Sequence, residues 1–133
     1  MARAGKFLSL WLPVVFWCGF IFFLSSFHKL QVSPIGWQDF ITRKTAHFLE
    51  YAILFVLFFR GFKNTTNFSS KKNFLMSFLF TIFYALTDEY HQTLVAGRTG
   101  RSLDIGIDSL GAAFGGLAIR KIPNKVAKIL KLI

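Results

Sequence analysis

The chain has 133 residues, 53% of them hydrophobic and eighteen of them Phe, with a formal charge of +10 at neutral pH. That is one domain's worth of protein with more apolar surface than a soluble core of this size absorbs, so a membrane is its natural solvent. The charge alone would suit a nucleic-acid binder, but the basic residues lie between apolar runs long enough to cross a bilayer, which sets nucleic acid aside as a partner.

The first apolar run, Phe7 to Phe27, holds no charged residue and predicts a membrane-spanning helix, about twenty residues being what the hydrocarbon requires. It is longer than the apolar region of a signal peptide, roughly 7–15 residues, and no convincing A-x-A site follows it. Pro13 falls in its first turns, where it bends a helix rather than ending it. Cys18 lies inside this run and is the only cysteine, so no intramolecular disulfide forms.

His28 to Phe40, with Pro34, Gly36 and Trp37, reads as a connection near the headgroups. A second helix is predicted from about Ile41 to Phe59, polar in its outer third (Arg43, Lys44, His47, Glu50) and apolar from Ala52 onward. Asn64 to Ser70 is a polar loop. Lys71 and Lys72 precede a third apolar run, Phe74 to Leu86, which ends in Thr87-Asp88-Glu89-Tyr90-His91-Gln92. After a turn at Gly97 and Gly100, Ser102 is a fitting N-cap for a fourth helix reaching about Arg120, with Asp104 in the first turn where the helix dipole favours negative charge. Beyond Pro123, Val126, Ile129, Leu130 and Ile133 share one face and Lys125, Lys128 and Lys131 another, the pattern of a short basic amphipathic helix lying on a membrane surface.

The expected fold is therefore all-α: four transmembrane helices over residues 1–122 and a basic tail over 123–133. Basic residues are retained on the cytoplasmic side during insertion. Eleven Lys and Arg fall at the N-terminus, the middle loop and the tail, against five (Lys29, Arg43, Lys44, Arg98, Arg101) at the other ends of the spans, so both termini are expected in the cytoplasm. In this orientation all six acidic residues, Asp39, Glu50, Asp88, Glu89, Asp104 and Asp108, and all three histidines fall on the outer side. Glu50 stands ten residues from Arg60, Asp108 twelve from Arg120 and Asp88 sixteen from Lys72. At the rise of an α-helix these put all three roughly 15–24 Å above the inner boundary, at depths that allow one shared cavity.

Helical spacing also sets the faces, because residues three or four apart are neighbours. Lys44, His47 and Glu50 or Tyr51 form one stripe, Asp88 with His91 and Gln92 a second, and Asp104 with Asp108 a third. The third continues into Gly111 and Gly115, whose missing side chains allow another helix to approach closely. Intramembrane ionisable residues mark function by default. Carboxylates and an imidazole can pass protons, which makes His47, Glu50, Asp88, Glu89 and Asp104 the candidate catalytic residues. His47 and Glu50 with Asp88 and His91 have the look of a divalent-metal site across two helices. Arg98 and Arg101 suit an anionic ligand, since a guanidinium grips phosphate or carboxylate with paired hydrogen bonds. With Lys44, Tyr51, His91, Gln92 and Asp108 they complete the expected binding set. There is no HExxH, no phosphate-cradling glycine loop and no base partner evident for Ser102.

In order and spacing these residues resemble the VanZ-like membrane proteins, a family named for a teicoplanin-resistance protein. Lys44, His47, Glu50 and Tyr51 match its K-x-x-H-x-x-E-Y; Asp88, Glu89 and Gln92 match D-E-x-x-Q; Gly97-Arg98 matches G-R; Asp104 opens D-x-x-x-N. The likeness covers about residues 43–116. Asp108 stands where the family usually has Asn, and Ala96 where Pro commonly precedes Gly-Arg. The resemblance implies a multi-pass protein of the bacterial cell membrane, linked in some members to glycopeptide susceptibility, and supplies no settled reaction. Three functions are compatible with this reading. One is a site for the anionic headgroup of an envelope lipid or glycolipid, with hydrolysis or group transfer as its enzymatic form. The others are a small proton-coupled transporter and a non-catalytic scaffold for an envelope enzyme.

Overall fold

The computed structural model describes residues 2–26, 36–95 and 102–130. They form five helices: α1 (Ala2–Ser25), α2 (Gly36–Thr65), α3 (Ser70–Leu94), α4 (Ser102–Lys121) and the short α5 (Asn124–Ile129). The residues from His28 to Ile35, and the turn containing Gly97, Arg98, Gly100 and Arg101, lie outside the described residues. Pro13 is accommodated inside α1, as its early position predicts.

α2 is longer than the sequence pattern indicates at both ends. It takes in Gly36 to Phe40, expected in the connection, and runs past Phe59 to Thr65. In its last turn, polar side chains fold back onto the carbonyls four residues earlier and so fit a polar stretch into the helix. Asn64 donates to the Arg60 carbonyl at 2.8 Å, Thr65 to Gly61 at 2.7 Å and Thr66 to Phe62 at 2.8 Å. Only four residues then separate α2 from α3. Thr66 donates to Asn73 Oδ1 at 3.1 Å, Asn73 donates to the Phe68 carbonyl at 3.2 Å, and the Ser69 hydroxyl caps the Lys72 N–H at 3.3 Å.

Side-chain pairs give the topology. Trp11 of α1 reaches Thr65 and Trp17 reaches the Glu50 carbonyl, so α1 and α2 are antiparallel. Tyr84 donates to the Cys18 carbonyl and Ser25 to Asp88, so α3 runs with α1. Phe48 and Ala52 of α2 meet Gly111 and Gly115 of α4, which run in the same sense. The helices alternate up and down, and α2 is the hub. One of its faces packs Tyr51, Leu54, Phe58 and Phe62 against Val14 and Ile21 of α1 and Ala85 of α3. Another sets Phe55 and Phe59 against Ala112 of α4 and Ala127 of α5. Trp11 meets Phe62 edge-on at 5.2 Å, and Phe80 meets Phe62 at the same distance, an aromatic geometry that adds to simple burial.

α3 inverts the soluble pattern. Its buried stripe is Asn73, Ser77, Thr81, Ala85, Asp88, Glu89 and Gln92, while Leu75, Leu79, Phe80, Phe83 and Leu86 are exposed. Ser77 and Thr81 bury their hydroxyls by bonding the carbonyls of Asn73 and Ser77 on their own helix, at 2.6 and 2.8 Å. Small or self-satisfied residues inside and large apolar residues outside are how helices pack when the surroundings are as apolar as the core. By length and composition α1 (over Ala4–Ser25) and α2 (Gly36–Thr65) are long and apolar enough to cross a membrane.

α2 and α4 approach backbone to backbone at Gly111 and Gly115. A Cβ added at Gly115 would stand 2.5 Å from the Ala52 carbonyl oxygen, and one at Gly111 would collide with the Phe48 carbonyl, whereas one at Gly106 would meet nothing within 4 Å. Gly115→Val should therefore force the helices apart and lower stability by about 2 kcal/mol or more. Gly106→Ala should hold or raise it by up to about 1 kcal/mol. Thermal unfolding of the two purified variants followed by circular dichroism measures the contrast.

Candidate functional site

Polar residues of α1, α2, α3 and α4 gather at the end of the bundle remote from the α2–α3 turn. Its deepest part joins α1 to α3. Asp88, buried at 2% exposure, accepts from the Ser25 hydroxyl at 2.9 Å and from Gln92 Nε2 at 2.8 Å. The Asp88–Gln92 pair is the i,i+4 relation read from the sequence. Ser25 is a residue that sequence reasoning missed. Its signal was a hydroxyl ending an otherwise apolar run, which is easily read as the edge of the span.

The middle part joins α2 to α4. His47 Nδ1 lies 3.7 Å from Glu50 Oε2 and 3.8 Å from Asp108 Oδ1, and its ring stacks over Tyr51 with centroids 6.5 Å apart. The rim is an ion pair between Lys44 and Asp104. Tyr51 is the centre. It is wholly buried, and its hydroxyl is within electrostatic reach of Asp88, Asp108, Tyr84 and Glu50. The charges of Glu50 and Asp88 act on one another, and Asp108 feels Asp88, Asp104, Glu89 and Lys44. Glu50, Asp88, Asp104 and Asp108 therefore share one site.

Glu89, a candidate catalytic residue of the sequence, is 8% exposed and close enough to act on Asp108, so it faces inward toward α4. His91, expected beside Asp88, instead stacks on Phe22 of α1 with centroids 3.9 Å apart. Among the described residues no three His, Cys, Asp or Glu side chains converge closely enough to hold a metal ion. Arg98 and Arg101 lie outside the described residues.

Three buried polar atoms at the site lack a hydrogen-bond partner among the described residues: the Tyr51 hydroxyl, Asp88 Oδ1 and Asp108 Oδ1. A buried acceptor left open costs about 1–3 kcal/mol, more when it is charged. A fold that gathers several such groups spends stability on them, as functional sites do.

An all-α bundle with apolar outer faces and one inward acidic cluster defines a class of small helical proteins. The VanZ/LLP1 family model matches residues 9–123, and the chain belongs to that family. Comparison with curated proteins and with solved structures returns no match.

Lys44 and Asp104 keep side-chain exposures of only 19% and 17%, so each depends on the other for charge compensation. Lys44→Met should destabilise by more than Lys44→Met combined with Asp104→Leu. A double-mutant cycle on thermal unfolding should return a coupling of at least about 1 kcal/mol.

Proposed function

We propose that this protein spans the bacterial cell membrane four times with both termini in the cytoplasm, and that its outward-facing polar site takes the anionic headgroup of an envelope lipid or glycolipid. Residues 1–122 are the spanning bundle and 123–133 a basic cytoplasmic tail. Support for the spans beyond α1 and α2 comes from the exposed apolar faces of α3 and α4, including Phe83, Leu110, Phe114 and Leu117. Support for the orientation comes from the eleven-to-five distribution of Lys and Arg.

The observation that carries the site is the convergence of open polar atoms around Tyr51: its own hydroxyl, Asp88 Oδ1 and Asp108 Oδ1. In this reading the Tyr51 hydroxyl donates to a headgroup oxygen, and Lys44, Arg98 and Arg101 balance the headgroup charge. His47, Glu50, Asp88, Glu89 and Asp104 stand where protons can move to or from the bound group, so the site suits binding alone or binding followed by hydrolysis or transfer. His91 and Gln92 shape the α1–α3 wall. The family link to teicoplanin makes glycopeptide resistance the phenotype to examine.

A proton-coupled transporter is the second reading. It draws support from Asp88, which is buried with no Lys or Arg partner among the described residues, since such acids form proton relays in transporters. A scaffold docking an envelope enzyme is the third, and it requires no particular protonation state.

Glu50→Gln and Asp88→Asn separate them. Headgroup binding or processing requires both variants to insert and melt as the parent does, yet to lose teicoplanin protection in a sensitive bacterium and to lose lipid that copurifies with the parent. Unchanged protection and lipid content in both variants would overturn the proposal. Drug uptake into vesicles that follows an imposed pH gradient identifies the transporter. Tolerance of both substitutions together with a copurifying envelope enzyme identifies the scaffold.

A further inference from the structure

At the opposite end of the bundle, three cations from three helices surround one cavity of about 310 Å³: Lys63 from the last turn of α2, Lys71 from the first turn of α3 and Arg120 from the last turn of α4. That volume is at the lower end of ligand pockets. Ser70 and Asn124 add polar groups to the lining, and Phe59, Phe74 and Ala127 form the apolar floor. None of the three cations has an acidic partner among the described residues. The acids are too distant to compensate them. Asp108 stands twelve residues from Arg120 and Asp88 seventeen from Lys71, roughly 18 and 25 Å along their helices, well beyond the screening length of about 8 Å.

The cavity is electropositive for a further reason. Lys71 lies in the first turn of α3, which carries no acidic residue and presents the positive end of the helix dipole. Three like charges and a dipole end around one space repel one another, and an anion relieves all of them. Arg120 is already oriented: its guanidinium lies over the Phe74 ring at 5.3 Å, which fixes its plane and leaves its N–H groups for an acceptor.

A second feature identifies what carries the anion. An apolar groove of about 330 Å³ runs along α3 and α4 over Phe78, Ala113 and Leu117, and it shares Phe74 and Arg120 with the basic cavity. A charged pocket continuous with an apolar channel between two helices has the shape of a lipid: a phosphate at one end and an acyl chain at the other. Basic pockets between helices on the cytoplasmic side hold anionic headgroups in this way. α5 closes the side of the pocket, with Ala127 buried at 2%, while Lys125 and Lys128 remain exposed around it.

We infer that the cavity formed by Lys63, Lys71 and Arg120 is a second, separate binding site, and that it takes the phosphate of an anionic phospholipid whose acyl chain lies in the α3–α4 groove. This site shares no residue with the acidic cluster and stands whether or not that cluster binds a headgroup. It also gives the short helix after Pro123 a role, as the wall that completes the pocket.

Native mass spectrometry of the full chain in neutral detergent, titrated with dioleoyl phosphatidylglycerol or dioleoyl phosphatidylcholine, tests it. The parent should retain phosphatidylglycerol and release phosphatidylcholine. The triple variant Lys63→Gln, Lys71→Gln, Arg120→Gln should bind phosphatidylglycerol roughly a hundredfold more weakly, as expected on removing three cations from a lipid-facing pocket. A control triple of equal charge, Lys72→Gln, Lys121→Gln, Lys128→Gln, should keep most of the affinity. If losing Arg120 from Phe74 prevents folding, Lys63→Gln with Lys71→Gln alone should still lower affinity by at least about tenfold. Ala113→Phe, which fills the groove, should weaken lipid binding without affecting any response of the melting temperature to inorganic phosphate. Equal losses in the two triples would reduce the effect to net charge and overturn the site, as would equal retention of both lipids by the parent. Stabilisation by inorganic phosphate with no effect of Ala113→Phe on lipid would overturn the lipid assignment and make the ligand a soluble phosphate compound.

Discussion

Everything at the polar end depends on how closely α2 and α4 approach. Gly111 and Gly115 let the α4 backbone rest against the carbonyls of Phe48 and Ala52, nearer than any side chain permits. That approach brings Asp108 to His47 about one turn, and Asp104 to Lys44 about two turns, from Gly111 along α4. Without it, the acids of α4 would face lipid or water with their partners out of reach. The glycines carry no chemistry, yet the acidic cluster exists because of them. Serine and threonine on α3 serve the same purpose on the other side of α2, by bonding their own helix carbonyls and presenting a thin, self-satisfied face.

The second organising constraint is the separation of charge along the bundle. Around Tyr51, carboxylates crowd together with few cations. At the other end, Lys63, Lys71 and Arg120 crowd together with no acid. In water such segregation gains nothing, because each cluster repels itself and salt screens the attraction between them. In the membrane arrangement proposed above it would serve each face, the cations setting orientation and facing anionic lipid while the acids stand at the other end. Between the two lies the aromatic packing of Trp11, Phe58, Phe62 and Phe80, which contains no ionisable group.

Much of this was legible in the sequence because it rests on spacing. The Asp88–Gln92 bond, the His47–Glu50 approach and the small-residue face at Gly111 and Gly115 all follow from the helical repeat, and so do α1 and α4 as elements. What spacing does not carry is rotation between helices. Nothing in the pattern says whether His91 turns toward Asp88 or toward α1, and an imidazole beside the apolar Phe22 ring gains stacking that the sequence does not advertise. Adjacent residues on a helix point to different faces, yet α3 is packed on enough sides to bury both Asp88 and Glu89. Ser25 was invisible because its partner lies 63 residues away. The ends of α2 were misjudged because polar residues at a helix terminus read as loop, although the side chains of Asn64, Thr65 and Thr66 bond back to the carbonyls four residues earlier and fit the helical turn.

Asp108 adds a further carboxylate within reach of Asp88, Asp104 and Glu89, at a position where the motif that this chain resembles usually carries an uncharged Asn. Like charges a few ångströms apart disfavour one another, so such a cluster depends on the contacts that frame it. The Lys44–Asp104 ion pair closes its rim, and His47 stands between Glu50 on its own helix and Asp108 on α4. The imidazole, placed over the Tyr51 ring, is therefore a contact that α2 and α4 share, so a change at 108 acts on both helices at once.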